Sequence, residues 1–461
     1  MMAIAGVDRW QGIMRRTSYA RAILENGCSR WLSPVALAAL NALSAFAFET
    51  RVHPVAGDAT AMLQAAIDEC AHNGGGRVFV ESGIYDIRTI RLLSRVELHL
   101  GRNAVLRGSR NPDEYSGLFP DWGGLPMATN RWSNAMIRVL GGRDVSIVGE
   151  PGSEIDGRNC YDEKGEEGFR GPHAISAYSV TNFVLKGFLV RDAGNFGLYA
   201  HGATNVTVSR LDIRGGHDGL DFFSSIDIAI AGCVIHSGDD CVAGYNNRRL
   251  SVQDCDLNTS CSVFRLGGNE ILIEDCRAES PGEYAHRWFL SPTDKRLERA
   301  PKGAGRHNTL SCFTFFTGKS SKSDSSNIVF RNCRFDGIER LMHYNLSGNE
   351  RWQKGKGLCD VTFENVDATG LLYPLVAYGV EQSPLHLAFH GGRIGFRQQV
   401  ESLICGANVG CVELRDVTVS GVKSSLMDKW QEMTPAVKIE GVKGLPEKVR
   451  PATGRFSCRP I

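Results

Sequence analysis

The chain has 461 residues, of which 42% are hydrophobic and 22% are charged, a composition typical of soluble globular proteins. Its 52 basic and 51 acidic side chains nearly cancel, and like charges do not run in blocks. The sequence therefore provides no field that would attract nucleic acid or an anionic membrane, and we expect neither as a partner. It also gives no reason to expect a nucleotide, a flavin or a transition metal, so we predict no cofactor.

The first 49 residues form an N-terminal segment with two interpretations. Residues 32–48 are uncharged and largely apolar, arginines precede them, and Ala45-Phe46-Ala47 resembles a signal-peptidase site. The stretch is short for a membrane span. Export to the periplasm or medium is slightly favoured, and the alternative is a cytoplasmic protein with helices packed on its end. The 14 cysteines, which include no CxxC pair, fit a reducing compartment better.

An amphipathic helix is predicted next, with Asp58 or Thr60 as its cap and a glycine-rich end at residues 73–76. Its apolar face comprises Met62, Leu63, Ala66, Ile67 and Cys70. Such a helix would cover the first, otherwise unpaired strands of the structure that follows. Strand-like runs at residues 77–80, 96–100 and 144–148 come after it.

From about residue 180, short stretches of alternating apolar residues recur, each followed by a turn. A marker position in these stretches advances by 23, 22, 22 and 21 residues, through Phe188, Leu211, Cys233, Cys255 and Cys276. This period, with two strands and a turn in each unit, predicts a stacked β-solenoid, because one coil cannot bury its inner face alone. The cysteines should stack inside as small hydrophobes, with disulfides as the alternative.

This interpretation divides the chain into three parts. Residues 50–430 form one solenoid domain without an internal linker, and residues 431–461 form a tail that packs on it. The step from Cys276 to Cys333 is 57 residues, so an insertion of about 35 residues is predicted at about residues 280–315.

The repeat register also brings acidic residues together. Asp218 lies seven residues after Leu211 and Asp240 seven after Cys233, so they should occupy the same position on adjacent coils. Asp239 lies beside Asp240, and His217 should stack under Asp239. Like charges this close should keep one carboxyl protonated near neutral pH, which suits glycoside hydrolysis. Ordinary surface turns and a calcium site are the alternatives that the register leaves open.

Several motifs resemble the polygalacturonase-like family of glycoside hydrolases (family 28), within the pectin-lyase-like parallel β-helix superfamily. The resemblance covers roughly residues 50–420. The sequences that carry it are Gly74-Gly75-Gly76-Arg77-Val78, Ile155-Asp156-Gly157-Arg158, Gly171-Pro172-His173-Ala174-Ile175, Asp218-Gly219-Leu220-Asp221 and Ser237-Gly238-Asp239-Asp240-Cys241.

The resemblance implies an all-β, right-handed parallel β-helix that hydrolyses glycosidic bonds with inversion. By matching position, Asp239 is the general acid, and Asp218 and Asp240 hold and activate the water. Inversion would place the acid and base carboxyls about 6.5–9.5 Å apart. The expected substrate is a plant or microbial polysaccharide or its oligosaccharides, and a pectin-related one is favoured.

The chain departs from the family pattern at three places. Gly216-His217 stands where the family has Asn-Thr, and Cys261 stands where it has a histidine between two glycines. The family's Arg-Ile-Lys sequence, which grips the galacturonate carboxylate, has no counterpart. Polygalacturonan is therefore less certain as a substrate, and His217 is either a catalytic imidazole or a hydrogen-bonding neighbour.

Candidate substrate-binding residues lie at the site and in the insertion. His217, Asp221 and Arg265 belong to the predicted catalytic coils, and His343 is a weaker candidate. The insertion is basic and aromatic, with Tyr284, His286, Arg287, Trp288, Arg296, Arg299, Arg306 and His307. Among these, we select Arg287, Arg306 and His307 for contact with anionic sugars. The insertion could wall off the cleft and make the enzyme exo-acting, or it could be a solvated loop.

Two other functions remain open at this point. A polysaccharide lyase on the same fold would need a base of near-neutral pKa, usually with calcium on the acids. A glycan-binding solenoid without catalysis is the other alternative. The register of the three aspartates favours hydrolysis over both.

Overall fold

The computed structural model describes residues 48–115, 132–161, 171–286, 288–290, 297–299, 306–348, 350, 352–428 and 435–445. Nearly all regular structure in these residues is β-strand, and the strands form one continuous parallel sheet that winds along the chain. Each coil contributes three strands, which lie on three faces. The predicted parallel β-helix is confirmed, but it has three strands per coil and not two.

The three faces repeat in chain order. Strands of the first face are Glu49–Val52, Gly76–Val80, Val96–Leu100, Arg143–Gly149, Thr181–Lys186, Thr204–Ser209, Ile226–Ala231, Ser326–Arg331, Val409–Arg415 and Ala436–Glu440. Strands of the second face are Gly83–Ile87, Ala104–Gly108, Glu154–Asp156, Leu189–Arg191, Asp212–Arg214, Val234–Ser237, Asp256–Thr259, Arg277–Glu279 and Arg334–Asp336. Strands of the third face are Ile90–Arg91, Ala135–Leu140, His173–Tyr178, Leu198–His201, Leu220–Phe223, Ser311–Phe315, Met342–Asn345 and Leu375–Tyr378.

Longer strands turn the corners between faces. Val242–Gln253 and Ser262–Glu274 each run from the third face into the next first face. Asp360–Leu371, Leu385–Ala407 and Thr418–Asp428 also cross from face to face. A separate antiparallel pair, Trp288–Leu290 with Leu297–Arg299, belongs to the insertion, and Pro112–Glu114 form a 3-10 turn.

The strand pairing confirms the repeat period. Leu189 pairs with Asp212, Asp212 with Val234, and Val234 with Asp256, so each marker residue advances by one coil. Arg277 pairs directly with Arg334, so the 57-residue step is also a single coil with an insertion. The sequence pattern did not predict the third strand of each coil, because that strand follows a polar turn that interrupts the alternation of apolar residues.

The solenoid interior holds the core. Inward side chains repeat at the same height on each coil, so like residues stack on like: Phe363 lies 5.0 Å from Phe330 and 5.2 Å from Phe389 between ring centroids. The cysteine column Cys233, Cys255, Cys276 and Cys333 is buried, and all four are free thiols. The packing interpretation of these cysteines is therefore confirmed over the disulfide one; elsewhere, Cys411 is disulfide-bonded.

The amphipathic helix spans Thr60–His72 and buries Leu63, Ala66, Ile67 and Cys70 against the first coils. Its N-cap is Ala59, which corrects the predicted cap. The Asp58 carboxylate instead accepts from the backbone N–H of Thr60 at 3.0 Å, because it lies two residues before the first helical residue. Within the described residues, no helix is long and apolar enough to cross a membrane.

Parts of three sequence predictions lie outside the described residues. The signal-like stretch at residues 32–48 is described only from Phe48 onward, and the tail only at residues 435–445. Arg287 also lies outside them, and Trp288 and Arg299 are described as backbone only.

Candidate active site

The candidate catalytic acids lie in the turns that lead from the second face to the third. Asp218 precedes the strand Leu220–Phe223, and Asp239 and Asp240 precede Val242–Gln253. Since Leu220 pairs with Val242, these two turns lie on adjacent coils. Asp239 donates its backbone N–H to the carbonyl of His217 at 3.0 Å, as the register predicted.

The three carboxylates converge in a buried cluster. At least one oxygen of each lies within 4.8 Å of the others, and the residues are 6%, 7% and 0% exposed for Asp218, Asp239 and Asp240. This approach is shorter than the separation expected for inversion. The reason is the fold, because adjacent strands lie only about 4.8 Å apart.

Asp240 is held by two hydrogen-bond donors. Arg265 Nη1 lies 3.0 Å from its Oδ2, and the backbone N–H of Ser262 donates to its Oδ1 at 3.1 Å. Burial raises the pKa of Asp240 above its usual value; Arg265 opposes this shift, and the charge of Asp239 adds to it. Burial alone would lower the pKa of Arg265, but Asp240 and Asp239 raise it, so the guanidinium stays charged.

Asp221 is the second acid of the Asp218 motif, and it is 2% exposed. Burial and the charge of Asp240 raise its pKa well above the usual value, while a hydrogen bond with Asp218 opposes this rise. Asp221 is therefore expected to favour its protonated form. When it is protonated, Asp221 donates a hydrogen bond to Asp218 and so contributes to the arrangement of the carboxylate cluster.

Aromatic rings border the acids on the third face. Tyr199 pairs in register with Asp221, and Tyr199, Trp132, Phe196, Phe223 and Tyr245 form a cluster separate from the main core. The Arg265 guanidinium lies 4.4 Å from the centroid of Phe316 and 5.1 Å from that of Trp352. Arg265 is thus fixed between an acid and aromatic faces, where stacking and a charge pair act together.

His286 is a site residue that sequence reasoning did not select. Its Nε2 lies 3.4 Å from Asp239 Oδ2, and one of its ring nitrogens, the Cys261 sulfur and an Asp239 oxygen lie within 4.8 Å of one another. Cys261 thus occupies the predicted place of the missing histidine. In the sequence, the one indication of this site residue was the presence of a histidine, His286, in the basic insertion.

The other predicted residues lie around this centre. The His217 ring is 5.6 Å from that of Tyr161, and His217 is 1% exposed. Arg306 donates to the carbonyls of Ser260 and Asn308, while the exposed His307 has its Nδ1 2.8 Å from the carbonyl oxygen of Gly282. His343 lies on the strand position of Arg265, two strands further along, and its Nε2 is 3.5 Å from Glu350.

The site also has the donors for a cation. The carboxylates of Asp218, Asp239 and Asp240 are hard oxygen ligands of the kind that calcium takes. The trio Asp239, Cys261 and His286 offers oxygen, sulfur and nitrogen, a set that suits zinc. Burial raises the pKa of the Cys261 thiol, and the charges of Asp240 and Asp239 raise it further, so the thiolate that zinc requires is disfavoured.

The segment that contains the four aspartates is similar to a known protein family. The sequence model of Glycosyl hydrolases family 28 matches residues 122–261, which include all four aspartates and end at Cys261. The predicted family resemblance is confirmed. Arg265 and His286 lie beyond the matched segment, on the side of the site where this chain carries its insertion.

Named relatives match over part of their length. A polygalacturonase of Saccharomyces cerevisiae is 30% identical over 150 residues, which are 30% of this chain and 41% of that protein. A probable endopolygalacturonase of Neosartorya fischeri is 30% identical over 257 residues, 52% of this chain and 63% of the relative. In the first curated relatives, the chain thus spans about two fifths of their length.

A solved structure supports the fold. The polygalacturonase from Erwinia carotovora ssp. carotovora aligns with a TM-score of 0.50 and 17% identity, covering 84% of this chain and 96% of that one. At this identity the likeness concerns the parallel β-helix and not the chemistry.

Proposed function

We propose that this protein is a family 28 glycoside hydrolase that cleaves glycosidic bonds in a pectin-related polysaccharide or its oligosaccharides. The observation that carries the proposal is the convergence of three buried carboxylates, each with an oxygen within 4.8 Å of the others. Surface turns do not require buried acids, and burying like charges together costs stability, a cost that is common at functional sites. The named relatives, all polygalacturonases in the matches above, support the substrate class.

The residues take distinct roles in this proposal. Asp239 donates a proton to the departing sugar oxygen, and Asp218 and Asp240 orient and deprotonate the attacking water. A raised pKa makes Asp240 a stronger base near neutral pH, while the donors Arg265 and Ser262 keep its orientation fixed. The bond to the leaving oxygen breaks as the water oxygen attacks the anomeric carbon, and no cofactor takes part.

Substrate contacts are proposed for residues of the catalytic coils and of the insertion. Arg265 combines a charge with two aromatic neighbours, which suits a sugar ring that carries a carboxylate. Arg306, His307, Arg287, His217 and Asp221 remain the further candidates. Exo action is part of the proposal, because the two ends of the insertion join beside the acids through the backbone hydrogen bond from His286 to Arg306, 2.9 Å long.

The experiment measures the release of reducing sugar ends from a panel of polygalacturonan, pectin fragments, and neutral and sulfated glycans. Wild type should release reducing ends without the ultraviolet absorbance of unsaturated lyase products. Asp239→Asn should lower the rate by about 10²–10⁴-fold, as expected for the loss of a general acid. Asp227→Asn is the matched control, since Asp227 pairs with Arg249 on the first face.

Each outcome of this assay distinguishes hydrolysis from one of its alternatives. Products that absorb ultraviolet light would show that the enzyme cleaves by elimination and not by hydrolysis. Loss of activity in EDTA would indicate a cation on the acids. No release from any glycan, together with glycan binding, would overturn the proposal in favour of a binding solenoid. Product size separates exo from endo action, since an exo enzyme releases one small product from the first minutes.

A further inference from the structure

His286 reaches the catalytic acids from outside the repeat. Its side chain is 9% exposed, as is that of Asp239, and its Nε2 is 3.4 Å from Asp239 Oδ2. Among the described residues, the charged or titratable groups around this contact include Asp218, Asp221, Asp240, Cys261, Arg265 and Arg306. Arg265 pairs with Asp240, and the His286 imidazole faces Asp239.

The segment that carries His286 is anchored to the catalytic coils. Ser260 donates its hydroxyl to the carbonyl of Tyr284 at 2.5 Å, and Leu310 donates its N–H to the carbonyl of Cys261 at 2.7 Å. Gly238, next to Asp239, packs so closely that an added Cβ would lie 2.8 Å from the carbonyl oxygen of Ala285. These contacts fix the position of the imidazole before any substrate arrives.

We propose that His286 is the positioning residue of the general acid, a role that rests on the proposed hydrolase function. Its Nε2–H donates to Oδ2 of Asp239, which holds the carboxyl plane and leaves the proton on Oδ1, facing the leaving oxygen. The 3.4 Å separation shortens in the substrate complex, as catalytic hydrogen bonds commonly do. The insertion thereby supplies an imidazole that the repeat itself lacks, because the repeat position beside Asp239 holds Cys261.

Cys261 does not fill this role itself. Burial raises the pKa of its thiol, so it stays neutral, and a thiol is a weak hydrogen-bond donor. A histidine at position 261 would stand on the same side of Asp239, within reach of the same carboxyl. The two positions are therefore interchangeable as sources of the imidazole, and this is a testable consequence.

The test compares two substrates whose leaving groups differ in their need for a proton. One is the glycan that wild type cleaves best, and the other is an aryl glycoside of the same sugar with an acidic phenol. His286→Ala should lower kcat on the glycan by about 10–10²-fold, part of the effect of losing the acid itself. On the aryl glycoside the loss should be within about threefold, since a phenolate departs without protonation.

Further variants separate positioning from folding. His286→Gln, which keeps a donor, should retain more activity than His286→Ala, and Cys261→His combined with His286→Ala should regain most of the glycan rate. KM should change little in all three. His390→Ala is the control, because His390 pairs with Glu413 far along the solenoid.

Equal losses of kcat on both substrates would show that His286 has only a structural role. Failure of Cys261→His to restore the glycan rate would show the same. A wild-type activity that EDTA removes and that zinc but not calcium restores would assign Asp239, Cys261 and His286 to a metal and overturn the positioning role. If wild type cleaves neither substrate, the hydrolase proposal fails and not this one alone.

Discussion

Arg265 and Asp240 form a buried ion pair across adjacent coils, with 3.0 Å between Nη1 and Oδ2. The pair links a proposed base to an arginine stacked on Phe316. Removing one partner of a buried pair leaves the other charge without compensation, which costs far more than the pair itself contributes.

Arg265→Met is therefore expected to lower the free energy of unfolding by about 3–5 kcal/mol and to abolish activity. Adding Asp240→Asn should recover part of that stability, because the stranded charge is then gone. Denaturant unfolding measures both. Arg249→Met serves as the control, since its pair with Asp227 is exposed and should contribute at most about 1 kcal/mol. Equal losses for the two arginines would contradict the buried pair.

Asp221→Asn should stabilise the protein at neutral pH. The folded pKa of Asp221 is raised, chiefly by burial, so its stabilising contribution is present below the unfolded pKa of about 3.9 and is lost as pH rises through the folded value. The melting temperature of the variant should thus exceed that of wild type increasingly from pH 4 upward, and match it in acid.

Asp227→Asn provides a control of opposite sign. A hydrogen bond from Arg249 lowers the pKa of Asp227, so this carboxylate contributes stability above the unfolded pKa that is lost in acid. The variant should be less stable than wild type near neutral pH. Parallel pH profiles for the two variants would show that Asp221 is not held protonated.

Hydrolysis is expected to proceed with inversion, although the carboxylate oxygens approach within 4.8 Å. Three acids share the site, so two can hold and deprotonate a water while the third donates the proton to the departing sugar oxygen. Proton NMR during the first turnovers should detect the anomer opposite to the bond cleaved. Early product of retained configuration would mean that Asp218 or Asp240 attacks the sugar directly.

Asn247 links two adjacent coils through its side chain. Its side chain accepts from the backbone N–H of Ser225 at 3.1 Å and donates to the carbonyl of Phe222 at 2.7 Å, fully buried. Asn247→Ala should cost about 2–4 kcal/mol, because both backbone groups lose their partner. Gln253→Ala, on the outer surface of the same strand, should stay within about 0.5 kcal/mol of wild type.

Much of the site could be predicted because a solenoid converts sequence spacing into spatial stacking. Leu211 and Cys233 are one coil apart, so Asp218 and Asp240, each seven residues later, necessarily become neighbours. Local periodicity of apolar residues was enough to establish the coil, its core and the acid cluster. The motif around Asp239 then indicated the family.

The remaining contacts of the site depend on long-range packing. His286 belongs to the insertion, where the period is broken, so no count of residues could place its ring beside Asp239. The partner of Arg265 and its stacking on Phe316 likewise depend on how side chains on three successive coils orient. The coil and the positions of its three aspartates follow directly from a repeat of about 22 residues. The partners of those aspartates come from segments that the repeat does not control, and long-range packing alone brings them into contact.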